Sequence, residues 1–234
     1  MSGVAAGRAR APRIALISAT PTAIAPAVAG LAEEFPAAEP WNLLDDRLLD
    51  DAPEDGPLSP ALVDRMARLI GHALAGGADG VLLTCSLYGS VAEAVETPVP
   101  LLAPDAAAFE QALALSAGRG RVLVLASFEA AMRDSLKRFS VVAAAAAAGP
   151  ATEPVGVVAP DAFDAARQGD LSTLRDALRD ACLPHVTDAD TVLLAQFSLA
   201  PAATFLSTAL GVPVVSGPHA AAAALRTALT GRPL

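Results

Sequence analysis

The stretch ADGVLLTCSL at residues 78–87 returns as ADTVLLAQFS at 189–198, an offset of 111 residues that sets Cys85 against Gln196. Two further blocks repeat in the same order. RIALISAT (13–20) matches RVLVLASF (121–128) at an offset of 108. PVPLLAPDAAAFEQAL (98–113) matches GVPVVSGPHAAAAALRTAL (211–229), with Pro104 on Pro218 at 114. A period above 100 residues means two similar domains, not a solenoid. The 234 residues are enough for both halves.

Each half carries four short apolar runs. They are IALIS (14–18), WNLL (41–44), VLLT (81–84) and VPLLA (99–103), then VLVLAS (122–127), VGVVA (155–159), VLLAQ (192–196) and VPVVSG (212–217). Continuous apolar strands of this length are those buried on both faces, as in parallel sheets covered by helices. Between them lie helical patterns. Leu62, Met66, Leu69, Ile70 and Leu74 share one face of 60–75, and Leu171, Leu174, Leu178 and Cys182 share one face of 171–182. Pro60 and Asp161 suit helix starts, and Gly76-Gly77 suits a helix stop. The fold class expected is α/β: tandem, pseudo-twofold-related α/β domains, each with a four-stranded, mainly parallel sheet flanked by helices, and a cleft between them. The expected division is a disordered tail over 1–12, a first domain over 13–117 and 212–234, and a second over 118–211.

Composition removes several function classes. Net charge is −9 and aromatic residues make up 4% of the chain, which argues against nucleic acid as a partner. No apolar run approaches the roughly 20 residues of a membrane span. Two cysteines are no disulfide framework, and with no secretory signal a cytoplasmic location is expected. His72, His185 and His219 lack the spacing of metal ligands, so no metal site is expected.

The carboxyl ends of parallel strands are where such sheets bind ligands. Here they carry Ser18-Ala19-Thr20, Thr84-Cys85-Ser86, Ser127-Phe128 and Gln196-Phe197-Ser198. Helix starts there offer free N–H groups to an anion, and small hydroxyls add donors, although capping alone also explains single Ser and Thr residues. Cys85 reads either as a reactive thiol or as a small buried hydrophobe. Facing helix starts, its thiolate is expected to be stabilised and its pKa lowered. Cys182 reads as core. Asp45 and Asp46 reach the cleft or form an acidic surface loop. Asp105 and His219, matched in the repeat, read as helix caps.

On the tandem repeat, TCSLYGS (84–90) and GVPVVSGP (211–218), residues 13–230 resemble the aspartate/glutamate/hydantoin racemase superfamily, which includes maleate isomerases and arylmalonate decarboxylases. The resemblance implies two cysteines flanking the α-carbon of a small carboxylate substrate, no cofactor, and a homo-oligomer. Cys85 matches the first cysteine; Gln196 stands where the second belongs. Cys85 and Gln196 are therefore the implied catalytic pair. Thr20, Thr84, Ser86, Ser127, Phe197, Ser198 and Asp45 are the implied substrate-binding set. The function expected is an isomerase working beside a carboxylate or carbonyl with one thiol. The alternatives are a decarboxylase or lyase of the same superfamily, and a non-catalytic small-carboxylate-binding protein.

Overall fold

The computed structural model describes residues 10–53, 56–116, 120–146 and 152–231. In chain order the first half holds β1 (Arg13–Ser18), α1 (Ile24–Glu34), β2 (Glu39–Leu44), α2 (Arg47–Asp50), α3 (Pro60–Ala75), β3 (Gly80–Leu83), α4 (Gly89–Ala94), β4 (Leu101–Leu102) and α5 (Ala106–Leu115). The second holds β5 (Arg121–Ala126), α6 (Glu129–Ala146), β6 (Glu153–Val158), α7 (Asp161–Gln168), α8 (Leu171–Cys182), β7 (Thr191–Leu194), α9 (Ala203–Leu210), β8 (Val214–Ser216) and α10 (Gly217–Thr230). Two four-stranded sheets result, ordered β2-β1-β3-β4 and β6-β5-β7-β8, with every pairing parallel.

The duplication reaches individual hydrogen bonds. Asp79 accepts from the N–H of Arg13, and Asp190 from that of Arg121, each at 2.7 Å. Each carboxylate thus caps the first N–H of a central strand. The matching edge strands β2 and β6 both begin Glu-Pro, with Pro40 opposite Ile14 and Pro154 opposite Val122. Proline cannot donate to a ladder, so it suits an edge and discourages further strand addition.

Strand alternation sends successive residues to opposite faces. Ala15 and Ile17 join Leu62, Met66 and Ile70 of α3 in one core. Ile14 and Leu16 face the other way, against Ala27 and Leu31 of α1 and Ala221, Ala222 and Leu225 of α10. In the second sheet Leu123 and Leu125 pack on α7, α8 and α9, while Val122 and Val124 pack on α5 and α6. The two terminal helices are therefore exchanged: α5 covers the second sheet and α10 the first.

That exchange changes the expected division in two places. β8 joins the second sheet, because Val192 pairs with Val214 and Leu194 with Ser216, so 212–216 leave the first domain. α5 leaves it as well, its Ala108, Phe109 and Ala112 being buried against Val122 and Val124. Of the expected tail, residues 1–9 lie outside the described residues; over 10–12, Arg10 pairs with Asp79 at 2.9 Å and the carbonyl of Pro12 accepts from Glu39 N–H at 2.7 Å. Among the described residues no helix is long and apolar enough to cross a membrane.

Candidate active site in the interdomain cleft

Three strands end the same way. Thr20, Cys85 and Gln196 are each extended (φ −143°, −117° and −138°), and each is followed at once by a tight 3₁₀ turn, Pro21–Ala23, Ser86–Tyr88 and Phe197–Ala202. An extended residue before a helical turn leaves the first N–H groups of the turn free. These strand ends line one cleft of about 930 Å3 between the sheets. The repeat thus places Cys85 and Gln196 at matching backbone positions on its two walls.

Seven of the nine expected residues line it: Thr20, Thr84, Cys85, Ser86, Gln196, Phe197 and Ser198. The hydroxyl of Thr84 is buried and donates to Ser18 Oγ at 2.9 Å, and Thr20 and Thr22 share a hydroxyl hydrogen bond at 3.1 Å. Phe197 is mainly a packing residue. It is 6% exposed and lies so close to Gly217 that a Cβ there would come within 2.6 Å of its ring.

Two expected residues do not line the cleft. Asp45 is held instead by Arg65, whose Nε and Nη2 donate to its two carboxylate oxygens at 2.5 and 2.6 Å. The chain turns after β2 onto α3, which carries this arginine, so Asp45 is spent on an ion pair. Ser127 lies behind Gln196. Its N–H and Oγ both donate to Gln196 Oε1, at 2.7 and 2.9 Å. A backbone N–H can only donate, so the atom facing it must be the carboxamide oxygen. The Nε2 amino group is thereby turned away from Ser127, and it has no hydrogen-bond partner among the described residues. Gln196 offers the cleft a donor.

Cys85 is half-buried. Burial pushes its thiol up to about 11, against the pull of the N–H groups of Leu87 and Tyr88. The negative charge of Asp105 raises it further, and Arg138 lowers it. The expected lowering by the turn is outweighed by desolvation, so at neutral pH the sulfur carries its proton. Cys182, fully buried among Leu174, Leu178 and Leu206, is core.

Sequence reasoning missed other cleft residues. Asp105 sits at the start of α5 but caps nothing; it forms a short ion pair with Arg138 of α6. Phe128 and Phe163 meet edge to face at 5.7 Å, and together with Leu49 they form an apolar wall. Lys137, the chain's only lysine, also lines the cleft. A single lysine among sixteen cations was a visible signal. His219 lies outside, sharing hydrogen bonds with Ser216 Oγ (2.6 Å) and Glu33 Oε2 (3.0 Å) at the start of α10. Among the described residues no cluster of His, Cys, Asp or Glu could hold a metal ion.

No protein-family model matches the chain, and no curated protein matches it. Solved structures do. Glutamate racemase RacE1 from Bacillus anthracis superposes with a TM-score of 0.70 at 14% identity, over 95% of this chain and 83% of that one. Aspartate racemase from Picrophilus torridus gives 0.67 at 13%, over 93% and 94%. A glycine-to-cysteine variant of arylmalonate decarboxylase with associated sulfate gives 0.65 at 21%, over 94% and 95%. The chain has the racemase fold. Within that fold the cleft between the two sheets is where its strand ends converge, with one thiol and one carboxamide at the related positions.

Proposed function

We propose that the protein is an enzyme that delivers one proton, from one face, to the carbon beside a carboxylate, with Cys85 as the donor. The observation that carries this reading is the fixed carboxamide of Gln196. Racemisation needs an acid or base on each face of the α-carbon. A carboxamide does not titrate near neutral pH. Asp45, expected among the substrate-binding residues, is engaged by Arg65 and does not line the cleft. At the position related to Cys85 the second wall offers the Gln196 Nε2 donor, suited to an oxyanion.

Decarboxylation of a 2-substituted malonate matches that asymmetry. Loss of CO2 leaves an electron pair on the α-carbon, delocalised into the remaining carboxylate as an enediolate. Gln196 and the hydroxyls of Thr20 and Ser86 would hold the negative oxygens. Cys85 S–H would give its proton to the carbon, and the thiolate would then recover one from solvent. A thiol held at about 11 enters the reaction protonated, as a donor should. The apolar wall of Leu49, Phe128 and Phe163 would take the substituent. An arylmalonate decarboxylase variant is among the proteins that share the fold.

The test is NMR in D2O with 2-substituted malonates and with single-enantiomer monocarboxylic acids. The expected result is CO2 release with one deuteron placed in one enantiomer of product, and at least a roughly hundredfold loss in Cys85→Ala. Exchange of both enantiomers of a monocarboxylic acid at comparable rates would establish the two-sided isomerase instead. Tight binding without turnover would leave a binding protein.

A further inference from the structure

We propose that Asp105 and Arg138 are positioning residues for Cys85: as an ion pair beside the cleft, they set the charge the thiol meets. Asp105 lines the cleft after β4 of the first sheet, and Arg138 lies behind it on α6 of the second. Their contact links the two halves of the chain beside the turn that carries Cys85. A Cβ built on Gly89, the residue after that turn, would lie 3.9 Å from Asp105 Oδ1 and 4.0 Å from Arg138 Nη1. Arg138 is held from three sides. Its Nε donates to Asp134 at 2.9 Å, its Nη2 to Ser135 Oγ at 3.4 Å, and its guanidinium stacks on the Phe109 ring at 5.4 Å.

Two features argue for more than structural support. The pair is partly exposed, with Arg138 and Asp105 side chains 29% and 13% accessible, and ion pairs that water still reaches add little stability. The pair also breaks the pseudo-symmetry on the side that bears the thiol. The repeat matches Asp105 with His219, yet His219 faces Glu33 outside the cleft while Asp105 lines it. Cys85 and Asp105 thus both stand on the cleft where the repeat has changed residue, Cys85 against Gln196 and Asp105 against His219.

Other charges face the thiol but are accounted for. Tyr88, beneath it, is committed through its hydroxyl to the carbonyl of Leu48 at 2.7 Å. Asp50 of α2 pairs with Arg47 at 3.2 Å, and Glu129 lies 3.9 Å from Arg133 on α6. Arg167 of α7 lies over the Phe163 ring, and Lys137 reaches the cleft from the exposed side of α6. Among these groups the Asp105–Arg138 pair is the more sheltered, and it lies next to Gly89 at the end of the Cys85 turn.

This inference rests on Cys85 as the working thiol, but it is tested on the thiol itself and so stands apart from turnover. The rate of iodoacetamide labelling of the Cys85 peptide is followed by mass spectrometry from about pH 6 to about pH 9, below the thiol's midpoint, where it is proportional to the thiolate fraction. Asp105→Asn is expected to label roughly tenfold faster than wild type at each pH, and Arg138→Gln roughly tenfold slower. The double variant should return toward wild type, and Arg138→Lys, which keeps the charge, should stay near it. Changes in the same direction, or none, would overturn the proposal. Fully buried Cys182 reports unfolding by becoming labelled. If the single variants unfold, Asp134→Asn at the more exposed neighbour of Arg138 takes their place, and Cys85 must label faster in it.

Discussion

A carboxamide fixed by a backbone N–H is a different group from a free one, and Gln196 shows how much rests on a single neighbour. Ser127 supplies two donors to Oε1, one of them the backbone N–H, which an alanine substitution leaves in place. Ser127→Ala should therefore keep the orientation, lowering kcat only severalfold and costing about 1 kcal/mol of stability. Gln196→Glu still accepts from Ser127 but replaces the cleft donor with a negative oxygen. Its kcat should fall by about a hundredfold or more, the scale of a lost oxyanion donor. Steady-state kinetics on the two variants separates orientation from donation; equal losses would show that Nε2 does no work. The thiols make a second prediction at this scale. Burial raises Cys85 to about 11 and Cys182 to about 12, from an ordinary 9.0. From about pH 9 to about 11 the unfolded chain has released these protons while the native state keeps them, so stability falls as pH rises. Urea midpoints should be flat below pH 9 and decline above it, and the decline should be smaller in Cys85→Ala. At this scale the sequence showed which residues end strands, but not which of them reach across. Ser127 turned out to serve Gln196, and Asp45 to serve Arg65, because both contacts join segments distant in the chain.

At the scale of elements, periodicity was a good guide where one face is buried and the other wet. The helices over 60–75 and 171–182 begin and end where the apolar spacing places them, with Pro60 at the start of the first, and α7 begins at Asp161. Ser59 Oγ and Asp170 Oδ1 accept from the N–H groups of Leu62 and Thr173, as N-caps do. The fourth strands were harder: β4 spans only Leu101–Leu102, so an apolar run of five residues there overstates the ladder. A close approach of two helix backbones is also hidden from periodicity. α1 and α10 cross at Gly30, where a Cβ would fall 2.8 Å from the backbone carbon and oxygen of Pro218. Backbone cannot swing aside as a side chain can. Gly30→Ala should push the helices apart and cost about 1–3 kcal/mol, despite alanine's better helix propensity. Thermal unfolding checks this, with Gly71→Ala on α3 as control, since nothing lies within 4 Å of a Cβ there. A stabilised Gly30→Ala protein would mean that the crossing is looser than its geometry.

Across the whole molecule, the exchange of α5 and α10 could not be read from the chain. AAAFEQAL and HAAAAALRTAL present small apolar faces that either sheet would accept, so sequence proximity favoured the wrong sheet for α5. Yet the exchange governs how the protein should unfold. Separate domains commonly melt separately. Here Ile14 and Leu16 of the first sheet are covered by α10, reached only through the second half, and Val122 and Val124 of the second are covered by α5, which follows the first. Neither sheet can keep both faces covered once the other half is lost, so the two should unfold together. One tryptophan allows a direct check. Trp41 sits on β2, in the first sheet alone, whereas far-UV circular dichroism sees both halves. In urea the fluorescence and dichroism curves should coincide. If about half the dichroism survived the Trp41 transition, the second half would be standing alone. The exchanged helices would then be packing elements rather than the tie that holds Cys85 and Gln196 on opposite walls of one cleft.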